Sequence, residues 1–130
     1  MEILHEPPPI FDEIVAAFPS ARKGVIFAWA GRIYNPDAVR IGDSLLAHEG
    51  AHCLRQGSDP EAWWRRYLDD PAWRLAEEII GHQAEYRQIC SFQRDRNFQA
   101  RSLHAIAMRL SGPLYGRLIP YARARAQVAA

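Results

Sequence analysis

A helix carrying His-Glu-x-x-His constrains this chain of 130 residues more than any other feature. The run Leu45-Leu46-Ala47-His48-Glu49-Gly50-Ala51-His52-Cys53-Leu54 reads as helical, with Asp43 or Ser44 as N-cap and Gly57 where a left-handed residue closes a helix. Side chains four apart on a helix stand one above the other, so His48 and His52 can present imidazole nitrogens to one metal ion. Leu45, Glu49 and Gln56 share that face, while Leu46, Gly50 and Cys53 turn away, toward the expected core. Glu49 sits beside the first histidine without being a ligand, which is the place for a general base. The bland alternative is a surface helix with two polar-face histidines. Apolar flanks argue for burial instead, and buried imidazoles and carboxylates need partners. Glycine inside a helix costs about 1 kcal/mol relative to alanine, so Gly50 is expected where another group approaches the backbone.

Two histidines require a third ligand. On a long helix expected from Ala72 to about Arg94, Glu78, His82 and Glu85 share a face, with Glu77 about 100° round from Glu78. A glutamate on a following helix is a familiar third zinc ligand, and 26 residues separate His52 from Glu78. Glu78 is the first choice and Glu77 the second; His82 is a further ligand or a partner to one. Taken alone, the set reads as a solvated acidic face.

Around these helices the order is legible from punctuation. Pro7-Pro8-Pro9 ends an extended lead-in over residues 1–9, and apolar residues at 10, 11, 14, 15 and 18 have helical spacing before Pro19. Residues 25–29 and 32–34 favour strands around an Ala30-Gly31 turn, giving a small β-hairpin with a free edge on which an extended peptide could lie. Residues 39–41 suggest one more extended piece after the Asn35-Pro36-Asp37 turn. Asp59-Pro60 and Asp70-Pro71 each open a helix, the first carrying Trp63, Trp64 and Tyr67 as core. Asn97 is expected to cap a helix reaching Leu110, with His104 off its apolar side; residues 122–130 read as a weakly packed helical tail.

Composition narrows the class. At 48% hydrophobic residues the chain can build one modest core, and no apolar stretch approaches the about 18 residues of a membrane span. The start, Met1-Glu2-Ile3-Leu4-His5-Glu6, has neither the basic nor the apolar run of a signal peptide, and Cys53 and Cys90 stand alone. A reduced, cytoplasmic protein is the expectation. Six arginines and no acidic residue lie in 96–130, so residues 1–95 carry 10 basic and 15 acidic side chains, a net −5. Those arginines are spread rather than clustered, which argues against nucleic acid as a partner.

Across residues 25 to 120 the chain resembles a small zincin of the gluzincin type, and more narrowly short proteins of bacteriophages and prophages. The resemblance is carried by Ile33-Tyr34-Asn35-Pro36, His48-Glu49-Gly50-Ala51-His52 with Arg55-Gln56, Trp63-Trp64-Arg65-Arg66-Tyr67-Leu68, Asp70-Pro71-Ala72-Trp73-Arg74-Leu75 with Glu78, and Leu110-Ser111-Gly112-Pro113-Leu114-Tyr115-Gly116. It implies an α+β, mainly helical, minimal zincin-like domain over residues 1–130, its hairpin preceding the His-Glu-x-x-His helix and a second helix bringing a zinc ligand. It implies Zn2+ held by His48, His52 and Glu78, Glu49 as base, a peptide or protein substrate, and the cytoplasm of a bacterial host. Tyr115, Tyr86 and a tail arginine are candidates to stabilise an oxyanion, as metal-assisted amide hydrolysis requires. The rival is a non-catalytic, zinc-stabilised accessory protein, signalled by a fourth protein ligand from His82 or Glu85. A deformylase would need a cysteine before His48, and none is there.

Overall fold

Proline and aspartate set the helical half of the chain. In the computed structural model, which describes residues 1–130, the order is β1 (Glu2–Leu4), α1 (Phe11–Ala17), a 3-10 turn (Pro19–Arg22), β2 (Phe27–Trp29), β3 (Arg32–Tyr34) and α2 (Asp43–Gln56). Then follow α3 (Pro60–Asp69), α4 (Pro71–Phe92), α5 (Arg96–Leu110), a second 3-10 turn (Pro113–Tyr115) and α6 (Tyr121–Ala129). The fold is α+β and mainly helical, as expected. Asp59 accepts from the Ala62 amide and Asp70 from the Trp73 amide, so each Asp-Pro step caps its helix with a side chain while proline takes a position whose amide is not needed. Pro71 cannot donate to the Tyr67 carbonyl at the end of α3. The Arg74 guanidinium does so instead, at 2.7 Å.

The sheet has order β1-β3-β2, with β1 parallel and β2 antiparallel to β3. Ala30 and Gly31 have φ of +53° and +74°, the mirror-image turn whose twist suits a two-residue hairpin. The hairpin was legible in the sequence; β1 was not, because the lead-in read only as extended chain. Residues 39–41 form no strand, since the Asn35 side chain closes a loop by bonding both the amide and the carbonyl of Val39.

Two apolar clusters flank the helix pair α2 and α4. One joins Ile14, Phe27, Trp29, Trp63, Trp64 and Tyr67 beneath the hairpin. The other joins Leu103, Ile106, Leu110, Ile119, Ala124 and Val128, from α5, α6 and the chain between. The last helix is therefore no frayed tail: Ala124 and Val128 are buried against α5. Asp95, not Asn97, caps α5, because its carboxylate reaches the amides of Asn97 and Phe98. On α2 Gly42 is the N-cap, without a side-chain bond, and Asp43 opens the helix.

The buried side of α2 is its polar side. His48, Glu49, His52 and Gln56 are buried, while Leu46, Gly50 and Cys53 are half-buried and Leu54 lies open to solvent. Amphipathic logic would turn the leucines inward, so what α2 packs against must be read from α4.

Candidate metal centre

Helix α4 meets α2 along a line of histidines and glutamates, and one glycine permits the approach. A Cβ added at Gly81 would lie 2.9 Å from His48 Nε2, inside any real contact distance. At Gly50, where the close approach was expected, the nearest atom to such a Cβ is Met1 Cε at 3.5 Å, an ordinary contact. Gly81 is therefore the glycine that the seam requires.

His48 Nε2 and His52 Nε2 lie 3.0 Å apart. Glu78 reaches between them, Oε1 at 3.1 Å from His52 Nε2 and Oε2 at 3.4 Å from His48 Nε2. Ligand atoms on tetrahedral zinc, at about 2.0–2.1 Å from the metal, are about 3.3 Å from one another. The separation of the two imidazole nitrogens and that of His48 Nε2 from Glu78 Oε2 bracket that value. Glu78 Oε2 is buried with no hydrogen-bond partner, an orphaned acceptor that a cation would satisfy. Nitrogen and oxygen donors of this kind suit zinc.

Glu77, the second choice, does not group with His48 and His52. It is 1% exposed and fully engaged, accepting from Trp63 Nε1 at 2.7 Å and from Arg55 Nε at 3.1 Å. Adjacent glutamates thus point to opposite tasks: one is neutralised by an arginine and an indole, the other aims at two imidazoles.

Behind the triad, Glu85 Oε1 lies 3.2 Å from His48 Nδ1 and 3.0 Å from His82 Nδ1, and its second oxygen pairs with Arg109. A carboxylate on Nδ1 orients the ring so that Nε2 faces Glu78, the usual way of fixing the tautomer that would bind a metal once Nε2 gives up its proton. His48, His82 and Glu85 also group closely enough to hold an ion. Arg109, paired with the same carboxylate, already supplies a positive charge there. His82 Nε2 is a buried orphan, 3.9 Å from Glu78 Oε2 and so beyond the about 3.3 Å that shared zinc ligation needs. Tyr67 donates to Glu78 Oε1 at 3.0 Å, leaving Oε2 as the free oxygen.

These charges shift one another. Burial disfavours charged His48, but Glu78 and Glu85 outweigh it and hold the imidazole up to about 10. Burial opposes charge on Glu78 too, yet His52 and His48 keep it well below the usual carboxylate range. Burial holds His82 below its ordinary value. Glu49 moves the other way: burial raises it against the pull of both imidazoles, and it accepts no hydrogen bond from the protein. A raised carboxyl is a better proton acceptor near neutrality.

Glu49, His48, His52, Glu78 and Tyr115 all line one cavity of about 100 Å³. Tyr115 arrives on the second 3-10 turn, closed by Gly116 at φ +86°, where a side chain would be strained. Burial and the charge of Glu78 push its hydroxyl far above 10, so it remains a donor. Tyr86 is elsewhere, packed against the α5–α6 cluster. The structure therefore brings His48, Glu49, His52, Glu78 and Tyr115 to one cavity and places Tyr86 away from it.

Reading the sequence missed Gly81 and the tasks of Tyr67, placed in the core, and of Gln56, placed on the histidine face. Tyr67 was placed in the core without asking where its hydroxyl goes, a question that every buried tyrosine poses. Gly81, the sole glycine of a helix of 22 residues, immediately precedes His82. Gln56 binds the sheet edge. Its Nε2 donates to the Ala28 carbonyl at 2.8 Å, Trp64 Nε1 donates to the same oxygen at 2.9 Å, and the Ala30 amide bonds Gln56 Oε1. In this register Ala28 is the β2 residue facing away from β3. The outward carbonyl of β2 is taken, so β2 offers an extended substrate no free acceptor there.

No protein-family model matches the chain, and no curated protein or solved structure is significantly similar to it.

Proposed function

We propose that this protein is a zinc-dependent amide or peptide hydrolase. The observation that carries the reading is the convergence of His48 Nε2, His52 Nε2 and an orphaned Glu78 oxygen beside a buried, unpartnered Glu49. Zinc bound at those atoms would supply Lewis acidity, polarising a carbonyl and lowering the pKa of water from about 15.7 towards 7. Glu49 takes one proton from the attacking water as its oxygen bonds to the carbonyl carbon. The same carboxyl returns that proton to the nitrogen as the C–N bond breaks, giving a carboxylic acid and an amine. Tyr115, still protonated, donates a hydrogen bond to the oxygen that gains charge. Glu85, tied to Arg109, holds His48 in orientation. The site would act in the cytoplasm of a bacterial host, the setting the phage resemblance suggests.

The second reading is a zinc-stabilised accessory protein without catalysis. His82 Nε2 favours it: a buried, unpartnered nitrogen whose ring lies 4.4 Å from that of His48 could close the coordination sphere after a small shift. Glu49→Gln separates the two. The hydrolase reading expects zinc content unchanged and amide hydrolysis down by about 10²–10⁴-fold. An accessory role expects no hydrolysis in either protein, and a His82→Ala variant that loses zinc.

A further inference from the structure

The cavity beside Glu49 runs away from the metal centre into the apolar cluster beneath the hairpin. Eleven of its 15 lining residues are hydrophobic, among them Ala21, Phe27, Trp63 and Trp64. Its only charged or titratable walls are the metal-centre residues, Tyr67 and Tyr115. Of the lining residues outside the metal centre, Phe18, Val25, Leu114 and Tyr115 reach the surface, so the mouth lies between the loop before β2 and the second 3-10 turn. Beyond the metal-centre residues the walls carry no Lys or Arg, so the apolar end of the cavity has no cation to receive a carboxylate.

Resting on the hydrolase reading, we infer that this cavity is the specificity pocket, and that the substrate is an amide bearing a short branched aliphatic group next to the scissile carbonyl. Size sets the upper limit. A cavity of about 150 Å³ lined by Leu, Ile and Phe takes benzene, so one of about 100 Å³ takes a group of about three or four carbons. Chemistry sets the class: at the end away from the metal centre an aliphatic group buries against aromatic walls with nothing left unsatisfied, whereas a charged or amide side chain reaching that end would find no partner, the indole N–H groups of Trp63 and Trp64 being already bonded. The engaged carbonyl of β2 sets the pose. With the Ala28 carbonyl held by Gln56 and Trp64, binding runs through the pocket rather than through strand addition, so a small acylated amine or a chain end fits better than the middle of a polypeptide.

The test uses the full chain and simple hydroxamic acids, which chelate zinc through a common head while the acyl group varies. On zinc-loaded protein, isovalerohydroxamate is expected to bind on the order of tenfold or more tighter than acetohydroxamate, from about three extra buried carbons. Naphthohydroxamate should lose that gain. On zinc-free protein, isovaleramide should still bind weakly and perturb the fluorescence of Trp63 and Trp64, where acetamide does not. Narrowing the pocket by Ala21→Leu, or from its half-buried rim by Val25→Phe, should abolish the isovaleryl preference while zinc content and acetohydroxamate binding persist. Equal affinity for all the hydroxamates, or none, on protein that holds zinc would overturn the pocket assignment and leave the metal centre standing. Failure to hold zinc would sink the hydrolase reading separately, and isovaleramide binding would then report on the cavity alone.

Discussion

The cluster between α5 and α6 and the seam between α2 and α4 are both buried, yet they are built by opposite rules. Ile106, Ala107, Leu110 and Ala124 are at most 1% exposed and carry no side-chain polar atom. The seam is as dry, with His48, His52, Glu77, Glu78, His82 and Glu85 all under 6% exposed, and it leaves His52 Nδ1, Glu78 Oε2 and His82 Nε2 unpartnered. An apolar cluster is complete in itself. Buried charges and orphaned acceptors cost stability unless something satisfies them, and the seam's histidines and glutamates group closely enough to hold a metal ion.

That contrast can be broken by mutation. Leu110→Ala should cost about 2–5 kcal/mol in chemical denaturation while zinc uptake per folded molecule stays whole. Glu78→Gln should cost about 3–5 kcal/mol, since it strands the charged His48, and it should also abolish tight zinc binding in a competition titration. Glu77→Gln, one residue away, should destabilise by loosening Arg55 and yet keep zinc. If Glu77→Gln loses the metal and Glu78→Gln keeps it, the assignment of the two carboxylates is reversed.

Glycines sharpen the comparison at smaller amplitude. Gly50→Ala should stabilise by up to about 1 kcal/mol, because alanine favours the helix and meets only Met1. Gly81→Ala gains the same propensity but drives its Cβ against His48, so thermal denaturation should show a net loss of about 1–3 kcal/mol together with weaker zinc binding.

Acidity gives the last contrast. Zinc-free His48 is raised to about 10 from 6.5, so the stability it contributes is whole below about pH 6.5 and is lost as pH rises through about 10. Glu78 and Glu85 are lowered, so theirs is present above about 4.5 and is lost as pH falls further. On the proposed reading zinc would compete with the His48 proton, so the zinc-induced rise in Tm should be larger at pH 8.5 than at pH 6. A rise that shrinks with pH would mean that His48 is not a ligand.

How far the sequence revealed this depended on the range of each interaction. Helix starts at Asp59-Pro60 and Asp70-Pro71 are local chemistry and were plain, as was the i, i+4 pair His48 and His52. Glu78 could be named because a metal centre demands a third donor, though Glu77 could not be dismissed until Arg55 and Trp63 were seen to hold it. Burial of His48, Glu49 and His52 was legible, but Leu46, Gly50 and Cys53 were expected toward the core and are only half-buried, because hydrophobic periodicity takes no account of a partner helix that is itself polar. The strand β1 was missed because its three residues acquire their pairing from β3, about 30 positions away. The packing of α6 depends on α5 rather than on its own alanine-rich sequence.

The most direct test of the metal centre is elemental analysis of purified protein beside its Glu78→Ala and Glu49→Ala variants. One zinc per chain in the wild type, lost in Glu78→Ala and kept in Glu49→Ala, is the result predicted here, and it leaves Glu49 free to act as base. Wild-type protein that holds no zinc after the metal is supplied would contradict the account, leaving the seam a buried polar contact between two helices.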